Sequence, residues 1–134
     1  MPFDGNLDTD LAVLQHARSL IANGWCKSVR HKRDLRGGDS YCMLGALAAA
    51  DGSGERYGPD TPRVQRLAFE LAREIAPDRL TTYRRGQNGG WCHNANSLVA
   101  EFNNATYRTQ DGVLQVFDQT IDRLVSEKET THAV

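Results

Sequence analysis

The residue most capable of chemistry in this chain is Cys42, in the stretch SYCMLGALAAA. A helix is predicted from Tyr41 to Ala50, with Asp39 or Ser40 as its cap. Cys42 would then occupy the second helical position, where unpaired backbone N–H groups and the positive end of the helix dipole stabilise a thiolate. This placement is typical of a cysteine nucleophile.

A cysteine nucleophile also needs a base, and His93 in GGWCHN is the candidate. Asn94 or Asn103 could orient its imidazole. The alternative is that Cys42 is a small buried hydrophobe beside Gly45, as free cysteines usually are. No family-specific catalytic sequence surrounds Cys42. A buried thiol is therefore favoured over a cysteine-dependent hydrolase or transferase with Cys42 as its nucleophile.

A zinc site is the second chemical alternative, because Cys26, Cys42, Cys92 and His93 could supply four soft ligands. Their spacing differs from that of the familiar zinc modules, since there is no Cys-x-x-Cys pair and Cys92 directly precedes His93. We therefore expect no metal and no other cofactor.

A basic segment, KSVRHKRDLR, offers a different kind of function. Its cationic residues are Lys27, Arg30, His31, Lys32, Arg33 and Arg36. They could grip phosphates or another anionic partner, with Trp25 and Tyr41 as flanking aromatic residues. A charge run is more often a solvated loop, and the net charge of the chain is only -1. Nucleic-acid binding therefore stays an alternative.

Arg84 and Arg85, in YRRGQNGG, could extend this basic surface, and Trp91 follows them. The glycine-rich turn could also offer free backbone N–H groups to an anionic small molecule or a protein. The chain contains neither a P-loop nor a dinucleotide-binding fingerprint.

Composition limits the class of protein. A chain of 134 residues with 40% hydrophobic and 25% charged residues is typical of one soluble globular domain. No apolar run approaches the roughly 18 residues of a membrane span, and the acidic N-terminus is unlike a secretory signal. Three widely spaced cysteines fit reduced thiols. A cytoplasmic location without membrane contact is expected.

Five helices are predicted from apolar spacing and capping signals. They begin at Asp8 or Thr9, Tyr41, Thr61 or Pro62, near Ala95, and at Thr109; Asn23-Gly24 ends the first and Pro77 the third. Residues 25–40 read as a loop or a small hairpin, and residues 51–62 and 78–90 as polar connections. The predicted fold is therefore mainly α, a single compact domain over 1–126, with a possible β-hairpin between the first two helices and a flexible tail over 127–134.

The order of these signals resembles a group of small uncharacterised bacterial and bacteriophage proteins. In that group a basic or polar hairpin leads to a Cys-x-x-Gly-[Ala/Val]-Leu helix, and a Trp/Leu-Asn-Asp motif precedes an Arg-Thr or Ser-Phe cap and the final helix. The matching residues here are Cys42, Gly45, Ala46 and Leu47 for the first motif, and Phe102, Asn103, Arg108 and Thr109 for the second. The group is a domain of unknown function, so the resemblance implies a fold and an origin but no reaction.

The chain departs from that group at Asn104, where the group usually has Asp, which argues against a carboxylate acting there as acid, base or ligand. Asn103 and Asn104 also have a structural interpretation, because asparagine favours helix ends. Arg108 could tie the next turn together or face a ligand, and Asn103 and Arg108 are both included among the candidate binding residues.

The leading hypothesis is a non-enzymatic binding module for a protein or an anionic ligand. It would use the segment from Trp25 to Arg36 and the loop from Arg84 to His93, with the oligomeric state unknown.

Overall fold

The computed structural model describes residues 3–52, 60–85 and 90–132. The helices in these ranges are α1 (Phe3–Asn23), α2 (Met43–Ala50), α3 (Pro62–Ile75), α4 (Ala95–Asn104) and α5 (Gln110–His132). Strands β1 (His31–Arg33) and β2 (Asp39–Tyr41) form an antiparallel hairpin between α1 and α2. Strands β3 (Thr82–Arg85) and β4 (Gly90–His93) form a second hairpin between α3 and α4. The prediction of a mainly α fold is confirmed.

One contiguous apolar core joins the helices. Helix α1 packs against α2 and α5, and α3 packs against α4 and α5. The largest fully buried apolar side chains are Phe117, Leu14, Ile21, Met43, Leu47, Leu67 and Leu71. Strand β2 of the first hairpin packs against α1 and α2.

Helix α3 forms where the sequence predicts it. Thr61 Oγ1 accepts a hydrogen bond from Val64 N at 3.2 Å, and Pro62 occupies the first helical turn. Proline is suited to that position because its fixed φ is helical and the N–H it lacks would have had no helical partner. The helix ends at Ile75, before Pro77, and buries its apolar face.

Three predicted helix ends differ from the observed ones. Helix α1 begins at Phe3 rather than near Asp8, and α2 begins at Met43, because Ser40 is paired in β2 and Cys42 is the cap. Helix α5 continues to His132, beyond the predicted end at residue 126. The flexibility of the tail stays a prediction.

The second hairpin was not predicted, since residues 78–90 read as a polar connection. Thr82 pairs with His93 and Arg84 with Trp91 across β3 and β4. The strand signal is weak here because few of these residues are apolar and most lack the alternation of a half-buried strand. The pairing of the two backbones therefore cannot be read from side-chain pattern.

The first hairpin is held close to α2 by a glycine. A Cβ added to Gly45 would lie 1.9 Å from the carbonyl oxygen of Arg30, a backbone atom that cannot rotate away. The same carbonyl accepts a hydrogen bond from Cys42 N at 3.2 Å. Gly45 is therefore required by this close approach.

Gly45→Ala should lower the free energy of unfolding by about 1–3 kcal/mol, since the added carbon forces the hairpin away from α2. Gly112→Ala is the matched control, because its Cβ would meet Thr109 Oγ1 at an ordinary 3.4 Å. That change should be neutral or stabilising by up to about 1 kcal/mol. Urea unfolding measures both, and equal effects would contradict the proposed clash.

Candidate functional site

Cys42 is the N-cap of α2 rather than its second helical residue. Its Sγ accepts a hydrogen bond from Gly45 N at 3.3 Å, and the residue is only 9% exposed. Burial raises the pKa of the Cys42 thiol, although backbone N–H groups of α2 and the Arg30 charge oppose this shift. At neutral pH these surroundings favour a thiol that caps a helix.

His93 lies at the end of β4, and its ring is tilted against Phe69 with 4.7 Å between the ring centres. Its Nδ1 is buried and has no hydrogen-bond partner among the described residues. No hydrogen bond joins His93 to Cys42 in the described contacts. Asn94 does not orient the imidazole, because it accepts from Thr81 N and donates to the carbonyl of Arg79. The predicted catalytic pair is not assembled by these contacts.

The four residues considered for zinc are only partly described. Cys26 Sγ donates to the carbonyl of Val29 at 3.5 Å, and burial raises the pKa of its thiol. The side chain of Cys92 lies outside the described residues. Among the residues that the structure describes, no group of three or more His, Cys, Asp or Glu side chains could hold a metal ion.

Most cations of the basic segment are bonded within the chain. Arg30 forms a bidentate pair with Asp60, at 2.7 and 3.0 Å, and this lowers the pKa of the Asp60 carboxyl. His31 and Arg33 both contact Asp39, at 2.7 and 3.3 Å. These contacts leave fewer groups for phosphate than the sequence suggests.

Lys32 and Arg36 form no ion pair with any described residue. Both are exposed. They are the remaining cations of the first hairpin that can meet a partner directly.

The predicted binding residues of the second hairpin can be placed only by backbone. Arg84 lies in β3 opposite Trp91 in β4, and Arg85 lies opposite Gly90, while their side chains are outside the described set. Tyr83, also in β3, is half exposed.

One carboxylate connects the residue before the first hairpin to the start of α4. Asp60 accepts from Arg30, at the base of the first hairpin, and from Asn96 Nδ2 at 3.1 Å. Asn96 lies in the first turn of α4, directly after β4. Asp60 therefore ties the first predicted binding segment to α4, the helix that follows the second segment.

Asn103 is a buried polar side chain whose hydrogen bonds reach three distant parts of the chain. It is 1% exposed, and its Oδ1 accepts from Trp25 Nε1 at 2.9 Å and from Met43 N at 3.1 Å. Its Nδ2 donates to the carbonyl of Cys26 at 3.1 Å and to Asn104 Oδ1 at 3.0 Å. Both amide hydrogens and both acceptor positions are thus used.

The neighbouring contacts extend this arrangement, which we call the Asn103 clasp: Trp25, Cys26, Met43, Asn103 and Asn104. Asn104 Oδ1 also accepts from the backbone N of Ser28 at 2.8 Å, where φ is +72°. Lys27 Nζ donates to the carbonyl of Ala105 at 2.7 Å. The clasp therefore fixes an unusual backbone conformation at the start of the first hairpin.

The clasp changes the interpretation of Trp25 and Asn103, both predicted to bind a partner. Their polar groups are bonded to each other, and Trp25 packs against the core. The interpretation of Asn103 and Asn104 as residues that favour a helix end did not predict the hydrogen bonds of Asn103 to Trp25 and Met43. The available signal is its spacing of four from the buried Val99, which in turn lies four after the buried Ala95, on one helix face.

Arg108 lies in the turn between α4 and α5. Its Nε donates to the carbonyl of Phe102 at 2.8 Å, and its guanidinium carbon lies 3.4 Å from the centre of the Phe102 ring. The Tyr107 ring centre is 4.9 Å away. The two predicted roles of Arg108 are compatible with these contacts. They tie the turn together, and they leave the terminal nitrogens without a described partner, so that these nitrogens can face a ligand.

The sequence analysis did not predict a cluster of ion pairs that involves α1 and α3. Asp10, in α1, is 7% exposed and accepts hydrogen bonds from Arg63 and Arg66 of α3. Arg63 also contacts Asp51, which accepts from Thr61. Its charges are balanced, so the cluster links α1, α2 and α3 rather than attracting an ion.

A family model described as a family of unknown function (DUF6197) matches residues 6–123. The chain belongs to this family. The predicted membership of an uncharacterised family is thereby confirmed. No match was found to the chain among the curated proteins or the solved structures. None of the described helices has the length and continuous apolar character that a membrane span requires.

Asn103→Ala should lower the free energy of unfolding by about 2–4 kcal/mol, because it leaves Trp25 Nε1 and Met43 N without their buried acceptor. Asn96→Ala removes an exposed asparagine with one hydrogen bond and should cost about 0.5 kcal/mol or less. Urea unfolding followed by tryptophan fluorescence compares the two variants. A cost for Asn103→Ala no larger than for Asn96→Ala would show that the clasp contributes little.

The native Cys42 thiol should alkylate more slowly than a free cysteine at neutral pH, because its raised pKa lowers the thiolate fraction and burial limits access. Its alkylation rate should rise only at a pH above the ordinary pKa range of a cysteine thiol. Iodoacetamide labelling across a pH series, with mass spectrometry resolving Cys26 from Cys42, measures this. Selective labelling of Cys42 below pH 7 would instead indicate a stabilised thiolate.

Proposed function

We propose that this protein is a non-enzymatic cytoplasmic binding module of bacterial or phage origin. The tip of its first hairpin would contact an acidic surface of a protein partner. The observation that carries the proposal is the full exposure of Leu35, the second residue of the turn that begins at Asp34.

The turn that presents Leu35 is internally bonded. Asp34 Oδ1 accepts from the backbone N of Arg36 and from that of Gly38, both at 2.8 Å. Asp34 N also donates to the carbonyl of Gly38 at 2.9 Å, and Gly37 has a φ of +83°, which glycine adopts without strain. Leu35 is therefore held outward by the turn itself.

The base of the hairpin is attached to the helices. Cys26 N donates to the carbonyl of Tyr41 at 3.1 Å, and Tyr41 N donates to that of Gly24 at 3.0 Å. The Asn103 clasp and the Arg30–Asp60 pair add tertiary contacts. A preorganised projection loses less conformational entropy on binding than a flexible loop does.

Exposed apolar side chains support a contact role for the hairpins. Among the described residues, the large exposed ones are Val29, Leu35, Tyr83 and Tyr107, and none lies in a helix. Val29 and Leu35 belong to the first hairpin segment, and Tyr83 to the second hairpin. The helices use their apolar faces for the core, so the hairpins offer the apolar contacts to a partner.

Charge favours an acidic partner over a neutral one. Lys32 lies three positions before Leu35 and Arg36 directly follows it, and neither has an ion-pair partner among the described residues. An acidic surface would meet both cations and cover one apolar side chain, which combines steering with burial. Arg30 and Arg33 are bonded to Asp60 and Asp39, which gives less support to phosphate binding along the whole segment.

A photo-crosslinking amino acid at position 35 should form a discrete protein adduct in a cell extract, because this site contacts the partner. The same amino acid at position 15, an exposed site on α1, is the matched control and should not form it. Lys32→Glu combined with Arg36→Glu should weaken the adduct by about tenfold or more, since two favourable charge contacts become repulsive. Gel analysis and mass spectrometry measure adduct yield and identity.

Three results would contradict the proposal. Equal adducts from positions 35 and 15 would mean nonspecific contact, and an adduct unaffected by the double charge reversal would remove the acidic partner. Loss of the adduct on nuclease treatment would favour the nucleic-acid alternative.

A further inference from the structure

A small groove lies between the end of α3 and the turn that joins α4 to α5. Its volume is about 270 Å³, and its lining includes Ile75, Leu98, Phe102, Tyr107 and Arg108. We call it the Arg108 groove. This volume lies just below the range of roughly 300–1,000 Å³ that is typical of small-molecule sites.

Arg108 is held in one orientation in this groove. The hydrogen bond from its Nε to the Phe102 carbonyl fixes one edge of the guanidinium, and the Phe102 ring covers one part of it. The two terminal nitrogens form no hydrogen bond or ion pair with a described residue. A fixed guanidinium with free terminal nitrogens matches the two oxygens of a carboxylate.

The other charges of the groove do not neutralise Arg108. Arg79 and Glu101 form a bidentate pair, at 2.7 and 3.1 Å, and lie at the groove together. Their charges cancel locally, so Arg108 supplies the excess positive charge among the described lining residues. The groove therefore favours an anion over a cation or a neutral molecule.

The remaining walls favour an apolar group beside that anion. Ile75 and Leu98 are aliphatic lining residues, of which Leu98 is only 4% exposed, and Tyr107 beside Arg108 is 77% exposed. An aromatic or short aliphatic group would cover this surface, whereas a free phosphate would leave it in water.

We propose that the Arg108 groove binds a small apolar carboxylate, with the carboxylate on the terminal nitrogens of Arg108 and the apolar part against Tyr107 and the aliphatic wall. This site is separate from the hairpin tip. It goes beyond the proposed protein contact and does not depend on it.

Titration of the ¹⁵N-labelled chain with 3-phenylpropionate, followed by two-dimensional NMR, tests the proposal. Saturable shifts are expected at the backbone amides of residues 98–108, with a Kd on the order of 1 mM for so small a ligand. The neutral 3-phenylpropanamide and inorganic phosphate should each bind at least about tenfold more weakly, because each lacks one of the two recognised features.

Variants assign the binding to the proposed contacts. Arg108→Gln should weaken 3-phenylpropionate about tenfold or more, and Arg108→Lys should recover only part of the affinity, since it restores the charge without the planar fork. Arg18→Gln is the matched control, because Arg18 is paired with Asp118 on α1 and α5, away from the groove. Should Arg108→Gln lose its folded spectrum, Tyr107→Ala keeps the test, with several-fold weaker binding expected.

Clear outcomes would overturn the proposal. Shifts of equal size with the amide would mean that the charge is not recognised, and equal binding of phosphate would mean a general anion site. Binding by an acidic peptide without binding by 3-phenylpropionate would replace the small ligand with a protein contact. Absence of saturable shifts in residues 98–108 would remove the site.

Discussion

The buried amide of Asn103 is the constraint on which the arrangement of hairpin and helices depends. One side chain meets the indole of Trp25, the first amide of α2 and the carbonyl of Cys26. Such a buried polar group is favourable only when each of its hydrogen-bonding positions is matched. Because all are matched here, the end of α4, the start of α2 and the start of the first hairpin have one mutual position.

Ion pairs nearer the surface also fix the positions of separate elements relative to one another. Asp60 joins Arg30 to Asn96, and Asp10 joins two arginines of α3 to α1. The cations that looked most suitable for phosphate in the sequence are therefore partly used to position the chain itself. The candidate binding groups that remain form two small surfaces. One contains Leu35 with Lys32 and Arg36, and the other contains Arg108.

The helices were predictable because their signals are local. Thr61, Pro62 and the apolar spacing of α3 mark its start and its buried face without reference to any distant residue. The β3–β4 hairpin and the start of α2 were not, because they depend on backbone pairing and on whether Ser40 joins a strand. The family was recognised from motif order, although that order carries no chemistry.

The candidate sites show the same limit more strongly. Residue types allowed Cys42 and His93 as a reactive pair and favoured a buried thiol, but only tertiary structure decides which atoms meet, and Cys42 Sγ accepts from the amide of Gly45. Trp25 and Asn103 were singled out as candidate binding residues, yet distance along the chain hid that they bind each other. Trp25 and Asn103 are 78 positions apart.

By joining these two distant residues, the clasp acts as a reversible counterpart of a disulfide. It closes a long loop that contains α2, α3 and the second hairpin. Loop-closure entropy grows slowly, by only about 0.6 kcal/mol for each doubling of length. Insertions and deletions in the connections inside the loop are thus thermodynamically cheap, whereas the few atoms that close it leave little freedom for substitution.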